Sequence, residues 1–273
     1  MPGKLTVCPT PIGNLGDVTA RARTALAEAD IIACEDTRRA GRLFELLEIP
    51  TPRLVSYHEQ NEADRARELA QVIERGESVT LISDAGTPGI SDPGFKLIRA
   101  CIERDLELEV LPGPSAVTTA LIASGLPCHK WRFVGFLPRR TGEMERVLQS
   151  PETVVAFESP RRLRESLSAL ATLAPDRPAA VCRELTKLHE EIARGTLGEL
   201  MRRFRDDSRG EIVVVIGPAR ETASQDIGFA IDSLRGLVRA GARPRAAANI
   251  VSALTGVPAN ELYRGITGRD PRR

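Results

Sequence analysis

Short apolar runs of strand length alternate with helix-length segments through the first half of the chain, and this alternation restricts the fold more than any other feature. Residues 5–8, 30–34, 53–56, 78–83 and 107–111 read as strands, and 19–28, 38–47, 62–75 and 95–104 as the helices between them. Strands joined through helices need right-handed crossovers, so they form a largely parallel sheet with helices on its faces. Ligands of such sheets lie beyond the carboxyl ends of the strands. A Pro-Gly turn and an apolar helix at 115–124 close this region.

A second, less regular alternation follows. Strands are expected at 131–136, 153–157, 179–184 and 211–216, and helices at 160–173 and 196–205; residues 187–195 read as a strand or as an ordered loop. A mixed sheet accommodates this pattern best. Helical segments at 225–240, 243–254 and 257–264 come last. The expected organisation is therefore an α/β lobe over 1–114 with a mostly parallel sheet, a second α/β lobe over 115–219 with a mixed sheet, and a C-terminal helical appendage over 220–273.

Composition sets the outer bounds. A chain of 273 residues with 42% hydrophobic content buries a sizeable core, and none of its apolar runs approaches the roughly 20 residues of a membrane helix. No membrane contact is expected. The first residues lack the apolar stretch of a secretory signal, and the five cysteines, Cys8, Cys34, Cys101, Cys128 and Cys182, show no CxxC spacing. Reduced thiols in the cytoplasm and no metal site are the expectation. The formal charge of +1 excludes a tail-driven nucleic-acid binder, but the lysines are only Lys4, Lys96, Lys130 and Lys187, so most cations are arginines suited to bidentate phosphate contacts. Arg243, Arg245 and Arg264 give the appendage a basic face that fits either nucleic-acid contact or dimer support.

Three loops at strand ends carry the chemical signal. Thr10 to Asp17 has glycines at 13 and 16, a GxxG spacing that fails the dinucleotide fingerprint. Ser83 to Gly94 concentrates three hydroxyls, two aspartates, two prolines and glycine directly after a strand, without the lysine of a P-loop. Leu111 to Ala116 opens a helix whose free N–H groups and Ser115 hydroxyl suit a polar ligand edge. Charged strand ends at Glu35 to Arg39, Phe157 to Arg162 and Arg183 to Glu191 form a polar cleft if the lobes face each other. His58, His129 and His189 stand alone, and no GxSxG or HExxH motif occurs.

Taken in order, TPIGNLGDVT at 10–19, EDTR at 35–38, SDAGTPGISDPG at 83–94, LPGPSA at 111–116, FVGFLPR at 133–139, FESPRRL at 157–163, RELTKLHEE at 183–191 and GEIVVVIG at 210–217 resemble the tetrapyrrole methylase-like superfamily, and within it the branch acting on ribosomal RNA. Members acting on tetrapyrroles carry a GxGxGD-type first loop, from which TPIGNLGD departs. The resemblance implies two α/β lobes, S-adenosylmethionine in the cleft between them, and a homodimer. It further implies 2'-O-methylation of a cytidine ribose in the decoding region of small-subunit ribosomal RNA on the small ribosomal subunit, with small-molecule or diphthine-type methylation as the alternative. By the same resemblance Pro11, Asp84, Gly86, Thr87, Pro88, Ser115 and Ala116 border the donor, and Gly135, Phe136, Leu185 and Ile212 approach its adenosine. Removal of the hydroxyl proton requires an acceptor. Glu184, a neutral Lys187 or a water chain fit that role, and a charged Lys187 would hold phosphate instead.

Overall fold

The apolar runs of the first half pair side by side, those at 4–7, 31–34 and 79–81 buried on both faces at the centre and those at 53–56 and 107–110 only partly buried at the edges. Strands β1 (Lys4–Val7), β2 (Ile31–Cys34), β3 (Arg53–Ser56), β4 (Val79–Leu81) and β5 (Glu107–Val110) form one sheet in the order β3-β2-β4-β1-β5, with every pairing parallel. On one face α3 (Glu62–Glu74) and α4 (Phe95–Glu103) pack Leu69, Ile73, Leu97 and Cys101 against Leu5, Ile31 and Leu81. On the other, α1 (Ala20–Ala27) and α2 (Thr37–Leu47) bring Leu26 and Phe44 against Ile32 and Cys34. The computed structural model describes residues 3–206, 208–219, 227–255 and 257–267.

Helix α5 (Ala116–Ser124) leads into the second sheet, β6-β7-β10-β8-β9, built from β6 (Trp131–Phe136), β7 (Thr153–Glu158), β8 (Pro178–Arg183), β9 (Glu191–Thr196) and β10 (Ile212–Ile216). Only β6 and β7 run parallel; the other neighbours are antiparallel, so the sheet is mixed as expected. The period of two is explicit in β10. Ile212, Val214 and Ile216 face a core with α6 (Thr141–Leu148), α7 (Leu163–Leu173) and α8 (Leu197–Arg203), whereas Val213 and Val215 face α5.

Two details depart from the sequence reading or resolve it. Residues 187–195 divide into a turn followed by β9, and α6 fills a stretch to which no element was assigned. Helix α6 is only eight residues long, contains Gly142 and starts without a side-chain cap, so it lacks the usual sequence signals of a helix.

The chain divides into two compact units, 1–218 and 219–273. In the second, α9 (Ile227–Arg239), α10 (Pro244–Thr255) and α11 (Ala259–Thr267) enclose Ala230, Leu234, Ala248, Val251 and Leu262. The expected start of the first of these helices, Gln225, lies outside the described residues, as does Gly256. Arg243, Arg245 and Arg264 are exposed. Among the described residues no helix is long and apolar enough to cross a membrane.

A buried polar network fixes the start of α4. The Tyr57 hydroxyl donates to Glu62 Oε1 at 3.2 Å and accepts from the Leu97 N–H at 3.2 Å, while Glu62 Oε1 accepts from the N–H groups of Gly94 and Lys96 at 3.0 and 3.2 Å. The end of the Ser83–Gly94 loop is thereby pinned to β3 and α3. Tyr57→Phe removes the hydroxyl from a site 1% exposed and is expected to cost about 1–3 kcal/mol, because Leu97 N–H then lacks a partner. Denaturant melts measure this, and an unchanged midpoint would contradict the role.

Candidate functional site

The loops leaving β1, β4 and β5 are tied to one another before they reach any ligand. Thr10 N–H donates to Gly86 O at 2.9 Å and Gly86 N–H to Thr10 O at 3.1 Å, with Thr10 Oγ1 donating to Ser83 O at 3.1 Å. Thr87 Oγ1 donates to Pro114 O at 3.1 Å, which joins the third loop to the second. Gly86 adopts φ +80°, a left-handed conformation that a β-branched residue strongly resists. Its missing Cβ would also lie 3.3 Å from Ile12 Cγ2.

These loops face the second sheet across a cavity of about 470 Å³, within the range of about 300–1,000 Å³ typical of small-molecule sites. Of the residues expected at the donor, Asp84, Gly86, Thr87, Ser115, Ala116, Phe136, Leu185 and Ile212 line it. Pro11 instead lines a smaller pocket of about 70 Å³ with Cys34 and Arg39. Pro88 is buried outside the cavity lining, and Gly135 sits in the irregular pairing of β6 with β7.

The lining also contains Glu35, Arg39, Ile90, Ser91, Asp92 and Glu158 from the charged and polar strand ends and Phe157 and Glu211 from expected strands, none of which the sequence singled out as a donor contact. Asp84 is held by Arg39 Nη1 at 3.0 Å and accepts from Asp36 N–H at 3.3 Å. Asp36 in turn caps α2 and pairs with Arg38, whose hydrogen bonds hold its carboxyl well below the usual range. Glu35 is left facing the cavity. Burial, followed by the charge of Asp84, raises its pKa against the opposing pull of Arg39 and His58. Asp92 is pushed up to about 6, first by burial and then by the Glu35 carboxylate, against a hydrogen bond from Ser83 and with a smaller push from Asp84.

The structure departs from the sequence reading at Glu184 and Lys187. Neither lines the cavity. Lys187 Nζ bridges Glu184 Oε1 at 2.8 Å and Glu211 Oε2 at 2.9 Å, and Glu184 Oε1 also accepts from Glu211 N–H at 2.9 Å. Burial lowers the lysine's pKa, but the hydrogen bonds to the two carboxylates outweigh it and the net shift is upward. Hydrogen bonds from Lys187 and from Glu211 N–H lower that of Glu184. A neutral lysine and a proton-seeking carboxylate are both disfavoured here. The network instead secures the wall formed by Leu185 and Gly210 to Val213. Against its outer side lies Gly13, whose φ of +155° and absent side chain admit the 184–190 turn; a Cβ there would fall 2.8 Å from Thr186 Oγ1.

The cavity's chemistry suits an amphipathic cation. Ile12, Val117, Leu185, Ile212 and Val213 supply apolar walls, Thr87 and Ser115 hydroxyls, and Glu35 and Asp92 negative charge beside the Asp84–Arg39 pair. S-adenosylmethionine combines a purine face with a sulfonium and an ammonium group, so these residues fit it. Cys182 also lines the cavity, but burial pushes its thiol up to about 11 and keeps it protonated near neutrality.

The family model of tetrapyrrole (corrin/porphyrin) methylases matches residues 4–201. The chain belongs to the tetrapyrrole methylase family, whose members take their methyl group from S-adenosylmethionine. It is 44% identical over 271 residues to a "Ribosomal RNA small subunit methyltransferase I" of Micromonospora olivasterospora, covering 97% of this chain and 86% of the relative. It is 46% identical over 218 residues to the protein of the same name from Hydrogenobaculum, covering 78% and 95%. Among solved structures, the methyltransferase CobJ superposes with a TM-score of 0.61 at 22% identity, covering 80% of this chain and 95% of that one. The uroporphyrin-III C-methyltransferase of Thermus thermophilus, in complex with S-adenosylhomocysteine, gives 0.56 at 19%, covering 79% and 97%.

Gly86→Val forces a β-branched residue into the left-handed region beside Ile12 and should displace the loop joined to Thr10. Donor affinity is expected to fall about tenfold or more, as about 1–3 kcal/mol of backbone strain implies. Calorimetric titration of the folded variant checks this, and wild-type affinity would remove Gly86 from the binding surface.

Proposed function

We propose that the chain transfers the methyl group of S-adenosylmethionine to the 2'-hydroxyl of a cytidine ribose in the decoding region of small-subunit ribosomal RNA, acting as a homodimer on the small ribosomal subunit in the cytoplasm. The observation that carries this reading is the 44% identity to a ribosomal RNA methyltransferase across 97% of the chain, against 22% to the methyltransferase CobJ of the same fold. The first loop, TPIGNLGD, agrees with it by departing from the GxGxGD form of the tetrapyrrole members.

When bound, S-adenosylmethionine supplies a methyl group already activated by its sulfonium leaving group. What the protein must add is alignment of the hydroxyl oxygen and a destination for its proton. Asp92 is our candidate acceptor. It lines the cavity on the rigid loop after β4, and its pKa near 6 leaves it ionised, yet basic, at neutral pH. Glu35 beside it adds negative charge next to the binding site of a cationic donor, while the charge of Asp84 is offset by Arg39. Direct attack by oxygen needs no thiolate, in keeping with the protonated Cys182.

Incubation of labelled donor with purified small subunits from cells lacking the modification tests the reaction. Nucleoside mass spectrometry is expected to find the label on a cytidine ribose. A methyl on the base would overturn the acceptor assignment, and transfer to a small molecule or peptide in place of the subunit would overturn the RNA reading.

The role of Asp92 makes a separate demand on pH. With Asp92 as acceptor, kcat rises as pH increases through about 6 and then levels, because the ionised form is the active one. Asp92→Asn, assayed at saturating donor, is expected to lower kcat by roughly 100-fold or more and abolish that inflection. A variant keeping both the rate and the inflection would assign the proton elsewhere.

A further inference from the structure

Strands β6 and β7 run parallel and end at the same edge of the second sheet, with Phe136 opposite Phe157. Each then enters the same tripeptide: Pro138-Arg139-Arg140 after β6 and Pro160-Arg161-Arg162 after β7. Both exits border the cavity, since Phe136, Ser159 and Pro160 line it. Phe136 is 56% exposed, which puts this edge at the cavity's open side.

The four arginines are used differently. Arg162 is committed inside the protein: Nη1 lies 3.4 Å from the buried Glu158 carboxylate, and Nη2 donates to Leu137 O at 3.0 Å and to Pro138 O at 3.4 Å. It staples one exit to the other and fixes their spacing. Arg140 reaches Glu143 only at 4.0 Å. Arg139 and Arg161 are exposed, with no ion pair or hydrogen bond among the described residues. By contrast, Arg65, Arg67 and Arg99 on the helices of the first lobe each meet a carboxylate three or four residues away at 2.6 or 2.7 Å. Guanidinium groups held on a braced scaffold, unneutralised and next to a ligand cavity, are matched to phosphate oxygens, which accept their paired N–H groups bidentately.

We propose that the two Pro-Arg-Arg exits form a phosphodiester clamp, in which Arg139 and Arg161 grip the RNA backbone on either side of the nucleotide whose ribose enters the cavity. This rests on the RNA reading above and adds the site that holds the strand. The prolines restrict the backbone, the Arg162 staple sets the distance between the exits, and the exposed Phe136 offers an aromatic face to a base unstacked beside them.

The test compares the wild-type full chain, R139A/R161A and R139K/R161K in binding to unmodified small subunits across a salt series, with donor affinity measured in parallel. Loss of two phosphate contacts is expected to reduce the slope of log K against log salt by about 1.4 and to weaken binding at least about tenfold near physiological salt. The lysine pair keeps both charges and should keep most of the slope, and donor affinity should be unchanged in both variants. Wild-type slope and affinity in R139A/R161A, or an equal loss of slope in the lysine pair, would overturn the clamp. Failure of the wild-type chain to bind or methylate subunits would instead overturn the RNA reading.

Discussion

Parallel strands β1 and β4 end side by side, and the chain leaving them is held by two reciprocal backbone hydrogen bonds between Thr10 and Gly86. This short bridge imposes the geometry of the cavity. It requires the left-handed turn that only Gly86 adopts without strain, carries Ile12 into the apolar cluster of Val117, Leu185 and Val213, and presents Asp84 and Thr87 toward the second sheet. Burial of an isoleucine side chain contributes about 1.5–3 kcal/mol, so Ile12 helps to hold the two lobes together. The farther end of the same loop is fixed by Glu62 and Tyr57, leaving Asp92 on a segment anchored at both ends.

The opposite wall is built by charge pairing. The Glu184–Lys187–Glu211 network sits partly exposed, so its net contribution to stability is small. Its consequence is positional: it fixes the 184–190 turn, with positive φ at Glu184 and Thr186, against the start of β10. Strain of this kind persists only where surrounding contacts hold it. Electrostatics thus divide the site, with one lysine shared between two carboxylates at the second-lobe wall and the pKa values of Glu35 and Asp92 raised by burial and neighbouring carboxylates on the first-lobe loops.

Much of the architecture was legible in the chain because burial on both faces leaves unmistakable runs. IVVVI at 212–216 is buried throughout, and the strand ends fell where glycine, proline and charge interrupted the pattern. The polar loops were legible too, since so many rigid and polar residues after a strand have little purely structural use. The proton-handling groups were not. Lys187 stood out by rarity and Glu184 by its place at a strand end, but only the fold shows that the two satisfy each other and Glu211. Asp92 reads locally as a residue that caps the next helix; its perturbation comes first from burial that no local pattern encodes and then from Glu35, which lies far away in sequence. Helix α6 escaped for a different reason, being short, uncapped and interrupted by glycine.

We propose that the donor lies between the bridged loops of the first lobe and the charge-braced wall of the second. A crystal structure of the protein with S-adenosylhomocysteine tests it most directly. The ligand should occupy the cavity bordered by Asp84 to Thr87, Ser115 and Ile212, with the Glu184–Lys187–Glu211 network intact behind it. Ligand bound outside that cavity, or contacting Lys187 in place of the Asp84 loop, would contradict the account.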